Sequence, residues 1–175
     1  MDVLPKRFER FGLTLHPEKT RLVPFKSPSR PSQDEDEQTP PSTFDFLGFT
    51  HFWGKSRKGN WIVRRKTMRK RLARFSGRMR QWCRTNRHLS IDEQRETLSR
   101  KLRGYYNYYG ITGNYACLQA AYEIVCRLWF SWLNRRSQRR SMTWDTYRAM
   151  LAAVPLEQPR VAKSIYRQAT GLANR

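Results

Sequence analysis

Carboxylates hold the Mg2+ ions of phosphoryl-transfer sites, and this chain has six aspartates: Asp2, Asp34, Asp36, Asp45, Asp92 and Asp145. No two are adjacent. Two-metal phosphoryl transfer needs clustered carboxylates that hold two divalent ions about 4 Å apart. The densest acidic run, Asp34 to Glu37, lies in a Pro-rich segment with no rigid scaffold, so it is not expected to bind metal. His16, His51 and His88 are scattered and lack ligand-like neighbours. Cys83, Cys117 and Cys126 are odd in number and have no Cys-x-x-Cys spacing. They read as reduced, packed thiols of a cytoplasmic protein, not as zinc ligands or disulfides.

Cations are the abundant reactive groups. The chain carries 35 Lys+Arg against 14 Asp+Glu, a formal charge of +21. Such one-sided charge repels itself and is accommodated beside a polyanion. Between Lys55 and Arg87 there are 14 basic residues and no acidic one. No stretch approaches about 18 consecutive apolar residues, and no signal peptide is recognised at the start. Nucleic acid is therefore the expected partner, and a membrane is not.

The elements that must position these cations follow from periodicity. "LPKRFERF" (4–11) reads as an amphipathic helix stopped by Gly12. "LTL" (13–15) and "TRLVPF" (20–25) alternate like strands. Residues 27–43 combine Ser, Pro and the acidic run without a large apolar residue, which predicts a disordered loop. "FDFLGFTHFWGKSRKGNW" (44–61) and the following "IVRR" predict a hairpin over 44–65. Its first strand is aromatic, with a kink or bulge at Gly48, and its tip is cationic. Met68, Leu72, Phe75, Met79 and Trp82 form one apolar stripe of a helix over 66–87. Ser90 and Glu93 form a capping box for the next helix, whose stripe is Leu98, Leu102, Tyr105 and Tyr109. Gly104 within it costs about 1 kcal/mol relative to Ala, which suggests close packing or close approach of a ligand backbone. Asn114 is placed as the cap of a long helix through Leu118, Ala121, Val125, Trp129 and Trp132. Thr143 caps a short last helix ended by Pro155, and the remainder is weakly patterned.

Four of these pieces, in order, resemble the reverse transcriptase/maturase proteins encoded by bacterial group II introns. "FGLTLHPEKTRLVPF" (11–25) is similar to the late palm motif, motif D. "FDFLGFTHFWGKSRKGNW" resembles the primer-grip hairpin, with Phe46, Leu47, Gly48 and Phe49 at its heart. "LRGYYNYYGITGN" (102–114) resembles the maturase signature, and "RLWFSWLNRRSQRRSMTW" (127–144) with "PLEQPR" (155–160) its closing helices. The resemblance spans about residues 4–160. It implies an α+β chain, a β-hairpin remnant of a polymerase palm followed by an all-α maturase/thumb bundle of about four helices. Residues 1–26 would end the palm, 66–160 would form the maturase domain and 161–175 a tail. The family's Tyr-x-Asp-Asp motif and its further catalytic Asp are missing, as is its zinc-binding endonuclease domain, and "VAKSIYRQATGLANR" departs from the family's usual ending. The chain thus resembles the C-terminal half of such an enzyme, beginning at its own Met1.

The resemblance implies that intron RNA is the partner, with an RNA/DNA template–primer duplex a second. Mg2+ belongs to the complete family enzyme, and no cofactor or small-molecule substrate is expected for this chain alone. Lys19 aligns with the motif D lysine, a general acid toward leaving pyrophosphate in an assembled polymerase. The residues expected to meet RNA are Lys55, Arg57, Lys58, Arg64 and Arg65 on the hairpin, with Lys66, Arg69, Lys70, Arg74 and Arg78 on the next helix. Further along they are Arg103, Tyr106, Tyr108, Arg135, Arg136, Arg139 and Arg140. Tyr105 and Tyr109 are expected inside and Tyr106 and Tyr108 partly exposed, with plain helix packing the alternative for all four. Three functions follow: an RNA-binding maturase region, half of a polymerase active when complemented by a palm chain, or a non-specific basic binder or decayed gene product.

Overall fold

The computed structural model describes residues 3–16, 20, 22–28, 43–136 and 142–164. Lys19, Arg139, Arg140, most of the expected disordered loop (29–42) and the end of the tail (165–175) lie outside the described residues. Helix α1 spans Val3–Glu9. A three-stranded antiparallel meander follows, β1 (Phe44–Phe46), β2 (Phe49–Lys55) and β3 (Trp61–Thr67). Helices α2 (Arg69–Thr85), α3 (Ile91–Tyr109), α4 (Tyr115–Leu133) and α5 (Trp144–Ala153) complete the α+β architecture.

Gly12, at φ 68°, ends the first helical segment as its position predicts. The strands expected at 13–15 and 20–25 are not formed among the described residues. Alternation alone does not make a strand, because a ladder partner must satisfy the backbone. Among the described residues no strand lies alongside them, and Leu22 is 81% exposed. Phe25 instead stacks on Trp53 with ring centres 5.1 Å apart and meets the edge of Phe44 at 4.8 Å.

The kink expected at Gly48 is a full chain reversal. Leu47 and Gly48 take φ of 48° and 82°, the left-handed pair of a two-residue hairpin turn. The register closes on it, with Phe46 opposite Phe49. Leu47 is held there by the Tyr108 hydroxyl, which donates to its carbonyl at 2.9 Å. Glycine suits the next position because of its positive φ, and a Cβ there would also crowd the Tyr109 hydroxyl at 3.1 Å. The ladder continues to Thr67 opposite Phe49, so β3 outlasts the expected hairpin and α2 begins at Arg69, not Lys66.

In the bundle α4 packs against α2 and α3. Its core joins Met79 and Cys83 of α2, Leu98 and Leu102 of α3, Leu118, Val125 and Trp129 of α4, and Tyr147 of α5. Burial pushes the Cys83 thiol up to about 12 and the Cys126 thiol up to about 11, so both stay neutral. Trp129 Nε1 donates to Gln94 Oε1 at 2.8 Å, which satisfies two buried polar groups at once. Ser90 and Glu93 form the predicted capping box: Ser90 N donates to Glu93 Oε2 at 3.0 Å and Glu93 N donates to Ser90 Oγ at 3.3 Å. The Ser90 hydroxyl, which donates to Glu93 Oε2 at 2.7 Å, and then the Ser90 N–H hold the Glu93 carboxyl below its usual range. Its contribution is present above that range and is lost as pH falls through the lowered value. Thr143 caps α5 as expected.

Tyr106 departs from expectation, being fully buried (0% exposed). Helical spacing left it facing outward because the segment after Pro155 looked unpatterned. That segment lies along α3: Leu156 is buried, Glu157 N donates to Ser99 Oγ at 3.2 Å, and Tyr106 donates to the Glu157 carbonyl at 3.3 Å. It then crosses Gly110 so closely that a Cβ there would lie 2.8 Å from the Arg160 carbonyl oxygen. Gly104, by contrast, is exposed and nothing lies within 4 Å of where its Cβ would be, so it serves no packing purpose.

Asn114 sits at the N-cap position of α4 but its side chain does not cap the helix. Its Oδ1 accepts from Thr67 N at 3.0 Å, and its Nδ2 donates to Thr67 Oγ1 at 2.9 Å and to the Tyr109 carbonyl at 2.8 Å. Asn114 is 1% and Thr67 4% exposed. Asn114→Ala leaves these groups buried and unpaired, and is expected to cost about 2–4 kcal/mol in chemical denaturation. Gly104→Ala should stabilise the chain by about 1 kcal/mol in the same assay, and a loss of stability would show that the position is crowded.

Candidate nucleic-acid interface

The β2–β3 turn carries the exposed Lys55, Arg57 and Lys58. Lys55 Nζ lies 5.5 Å from the Trp61 ring centre, and the Arg64 guanidinium reaches across the hairpin to donate to the Lys55 carbonyl. Side chains alternate across a strand, and the register places Arg64 and Lys66 on the face of Phe52 and Gly54. Lys66 Nζ stands 5.1 Å from the Phe52 ring centre. Arg65 is on the opposite face with Val63 and Thr67. Only Met68 separates β3 from α2.

Arg69, Lys70, Arg74 and Arg78 are all exposed on α2 and are joined there by Arg71, Arg80 and Arg84. Arg74 and Arg78, four apart, share one side of the helix, whereas Arg69 is about 140° round from Arg74. The cations thus cover the whole solvent arc opposite the half-buried Leu72, Phe75 and Trp82. Among the described residues, ion pairs involve Arg100, Arg103, Arg127, Arg148 and Arg160, and none of the cations of β3 or α2. Like charges four apart on a helix repel by about 0.2–0.5 kcal/mol per pair, so this surface stores a cost that a polyanion removes.

The other expected residues fare differently. Arg103 pairs with Glu157 at 3.0 Å, so a phosphate must compete for it. Tyr106, buried in the core, has no face to offer a base. Tyr108 is exposed, and its ring lies parallel to Phe49 at 6.1 Å. Of the primer-grip-like residues, Phe49 packs against Tyr108 and Tyr109 and Gly48 is buried, while Phe46 (58% exposed) and Leu47 remain open. Arg135 lies over the Trp132 ring at 4.7 Å, and the Arg136 guanidinium donates to the Arg87 carbonyl.

Sequence reasoning missed Arg80, Arg84, Arg87 and Trp132. With Gly77, Gln81, Thr85 and Arg135 they line a cleft of about 670 Å³ between α2 and the end of α4. The signal was present: Gly77, Arg80, Gln81 and Arg84 recur at helical spacing, a second stripe beside the apolar one.

Among the described residues the donor set does not suit the Mg2+ of a polymerase. The described aspartates stand apart, Asp45 on β1 (accepting from Thr50 Oγ1 at 2.5 Å), Asp92 on α3 and Asp145 on α5. Among the described residues no three His, Cys, Asp or Glu converge. No helix of the described residues is long and apolar enough to cross a membrane.

A small antiparallel meander running straight into a helical unit with an uncompensated basic surface defines a basic α+β protein with a helical C-terminal part. Residues 72–150, from α2 through most of α5, match the family model for the group II intron maturase-specific domain. Over these residues, a little under half of the chain, it is similar to the C-terminal, maturase-specific part of a group II intron maturase. No curated protein and no solved structure matches the chain.

If the α2 cations meet phosphate, replacing Arg69, Arg74 and Arg78 with Ala should weaken RNA binding and reduce the slope of log affinity against log salt by up to about 3. An unchanged slope in a fluorescence-anisotropy titration would show that these three make no phosphate contact.

Proposed function

We propose that this chain binds group II intron RNA and assists its folding, splicing and retrohoming. The observation that carries this reading is the run of exposed cations through β3 and α2, without an ion pair among the described residues, leading into the stretch that matches the maturase-specific domain. Lys and Arg at phosphates release condensed counterions, which supplies affinity and makes it salt-sensitive. Structured RNA is recognised by shape, phosphates and 2′-hydroxyls, which a rigid helical face with fixed cations suits. Selectivity for the intron then comes from the arrangement of those cations rather than from their number.

A second reading is favoured by one feature, the open Phe46–Leu47 turn held up by Tyr108. It would seat the chain against the palm of a reverse transcriptase that supplies the missing carboxylates and Mg2+. Lys19 would then serve as general acid, and the template–primer duplex would become a second ligand. Alone, the chain is proposed not to polymerise, because its described aspartates are too dispersed to hold two ions.

The experiment compares binding of the purified chain to a group II intron RNA and to a scrambled RNA of equal length, from low to physiological salt. A preference for the intron that persists at physiological salt is expected. Equal binding that salt erases for both RNAs would reduce the chain to a non-specific basic binder.

A further inference from the structure

The cleft between α2 and the end of α4 has features that the fold itself does not need. Gly77 lies in mid-helix, where glycine weakens the helix, and nothing lies within 4 Å of where its Cβ would be. It leaves one wall of the cleft open. Arg80 and Arg84 are four apart on the same side of α2 and repel one another. None of Arg80, Arg84, Arg87 or Arg135 has an ion-pair partner among the described residues.

The rim is built rather than loose. The Arg87 carbonyl accepts from Gln94 Nε2 at 3.2 Å and from the Arg136 guanidinium. Gln94 is itself anchored by the buried Trp129 indole. On the α4 side the Arg135 guanidinium stands over Trp132, 4.7 Å from the ring centre. A planar cation supported by an indole presents a stacking surface to another flat ring. The volume of about 670 Å³ is in the range of sites for small organic ligands.

Three guanidiniums beside a stacking surface suit a ligand that is a flat ring attached to phosphates. We propose that this cleft takes one unpaired nucleotide of the bound RNA, its base stacked on Arg135 over Trp132 and its flanking phosphates on Arg80, Arg84 and Arg87. The site rests on the RNA-binding reading above and adds to it a specific preference for an extruded base. A paired base cannot enter, because its faces are already covered in the duplex.

The test uses the full chain and two labelled RNAs at one fixed salt concentration: a short duplex with a single unpaired adenosine, and the same duplex fully paired. The wild-type chain should prefer the bulged RNA by about tenfold. Arg135→Lys keeps the charge but removes the plane. It should abolish that preference, so that the bulged and the paired RNA bind alike. The double substitution Arg80→Gln and Arg84→Gln should weaken both RNAs. A wild-type chain with no preference for the bulge, or a preference that Arg135→Lys leaves intact, overturns the subsite. Intron RNA and its scrambled control, run in the same series, show whether the wider RNA-binding reading falls as well.

Discussion

Asn114 holds the sheet and the bundle as one body. Its amide spends its bonds on Thr67, the last residue of β3, and on the carbonyl of Tyr109, the last residue of α3. Three elements meet at one buried side chain, and the direction in which β3 enters α2 is fixed there. The tyrosines of α3 reinforce the junction, with Tyr108 holding the Leu47 carbonyl and Tyr109 filling the space beside Gly48. A polar group buried in this way is specific in a manner that apolar packing is not, because any other register of β3 would leave its partners unsatisfied. The cations of β3 and the first turns of α2 follow on either side of Thr67, so their relative positions are set by this contact.

The charge pattern makes sense only on such a fixed frame. A mobile basic segment would relax its repulsion by spreading apart, whereas a helix face cannot. Along α2 one side is committed to the core through Met79 and Cys83, and the remaining arc is cationic with no carboxylate among its 17 residues. The apolar core, centred on the fully buried Trp129 with its hydrogen bond to Gln94, must carry the stability that this surface gives up. Phosphates would relieve the repulsion, so folding and RNA binding are expected to favour one another through linkage.

Much of the bundle was legible in the sequence because its signals are local. The stripe from Leu72 to Trp82, the Ser90–Glu93 box and the Thr143 cap depend on neighbours within one helical turn. What was not legible depends on distant chain segments. Tyr106 is covered by residues 155–163, which carry no periodicity and are placed by contacts such as Lys163 N to the Gly110 carbonyl at 2.8 Å. Asn114 looked like an ordinary cap because its true partner, Thr67, is 47 residues away. The alternating stretch at 20–25 failed for the complementary reason, having no strand beside it among the described residues. The cleft around Arg135 and Trp132 could not be foreseen as a unit, since its two walls come from different helices.

The most direct test of the claim that sheet and bundle form one unit is native-state hydrogen exchange at the Thr67 amide. If Asn114 joins them, this amide should be protected as strongly as those of Ala121 and Val125 in the centre of α4, and should open with them. Exchange as fast as in the Ser56–Asn60 turn would mean that the hairpin opens by itself, and that the cations of β3 and α2 do not form one fixed surface.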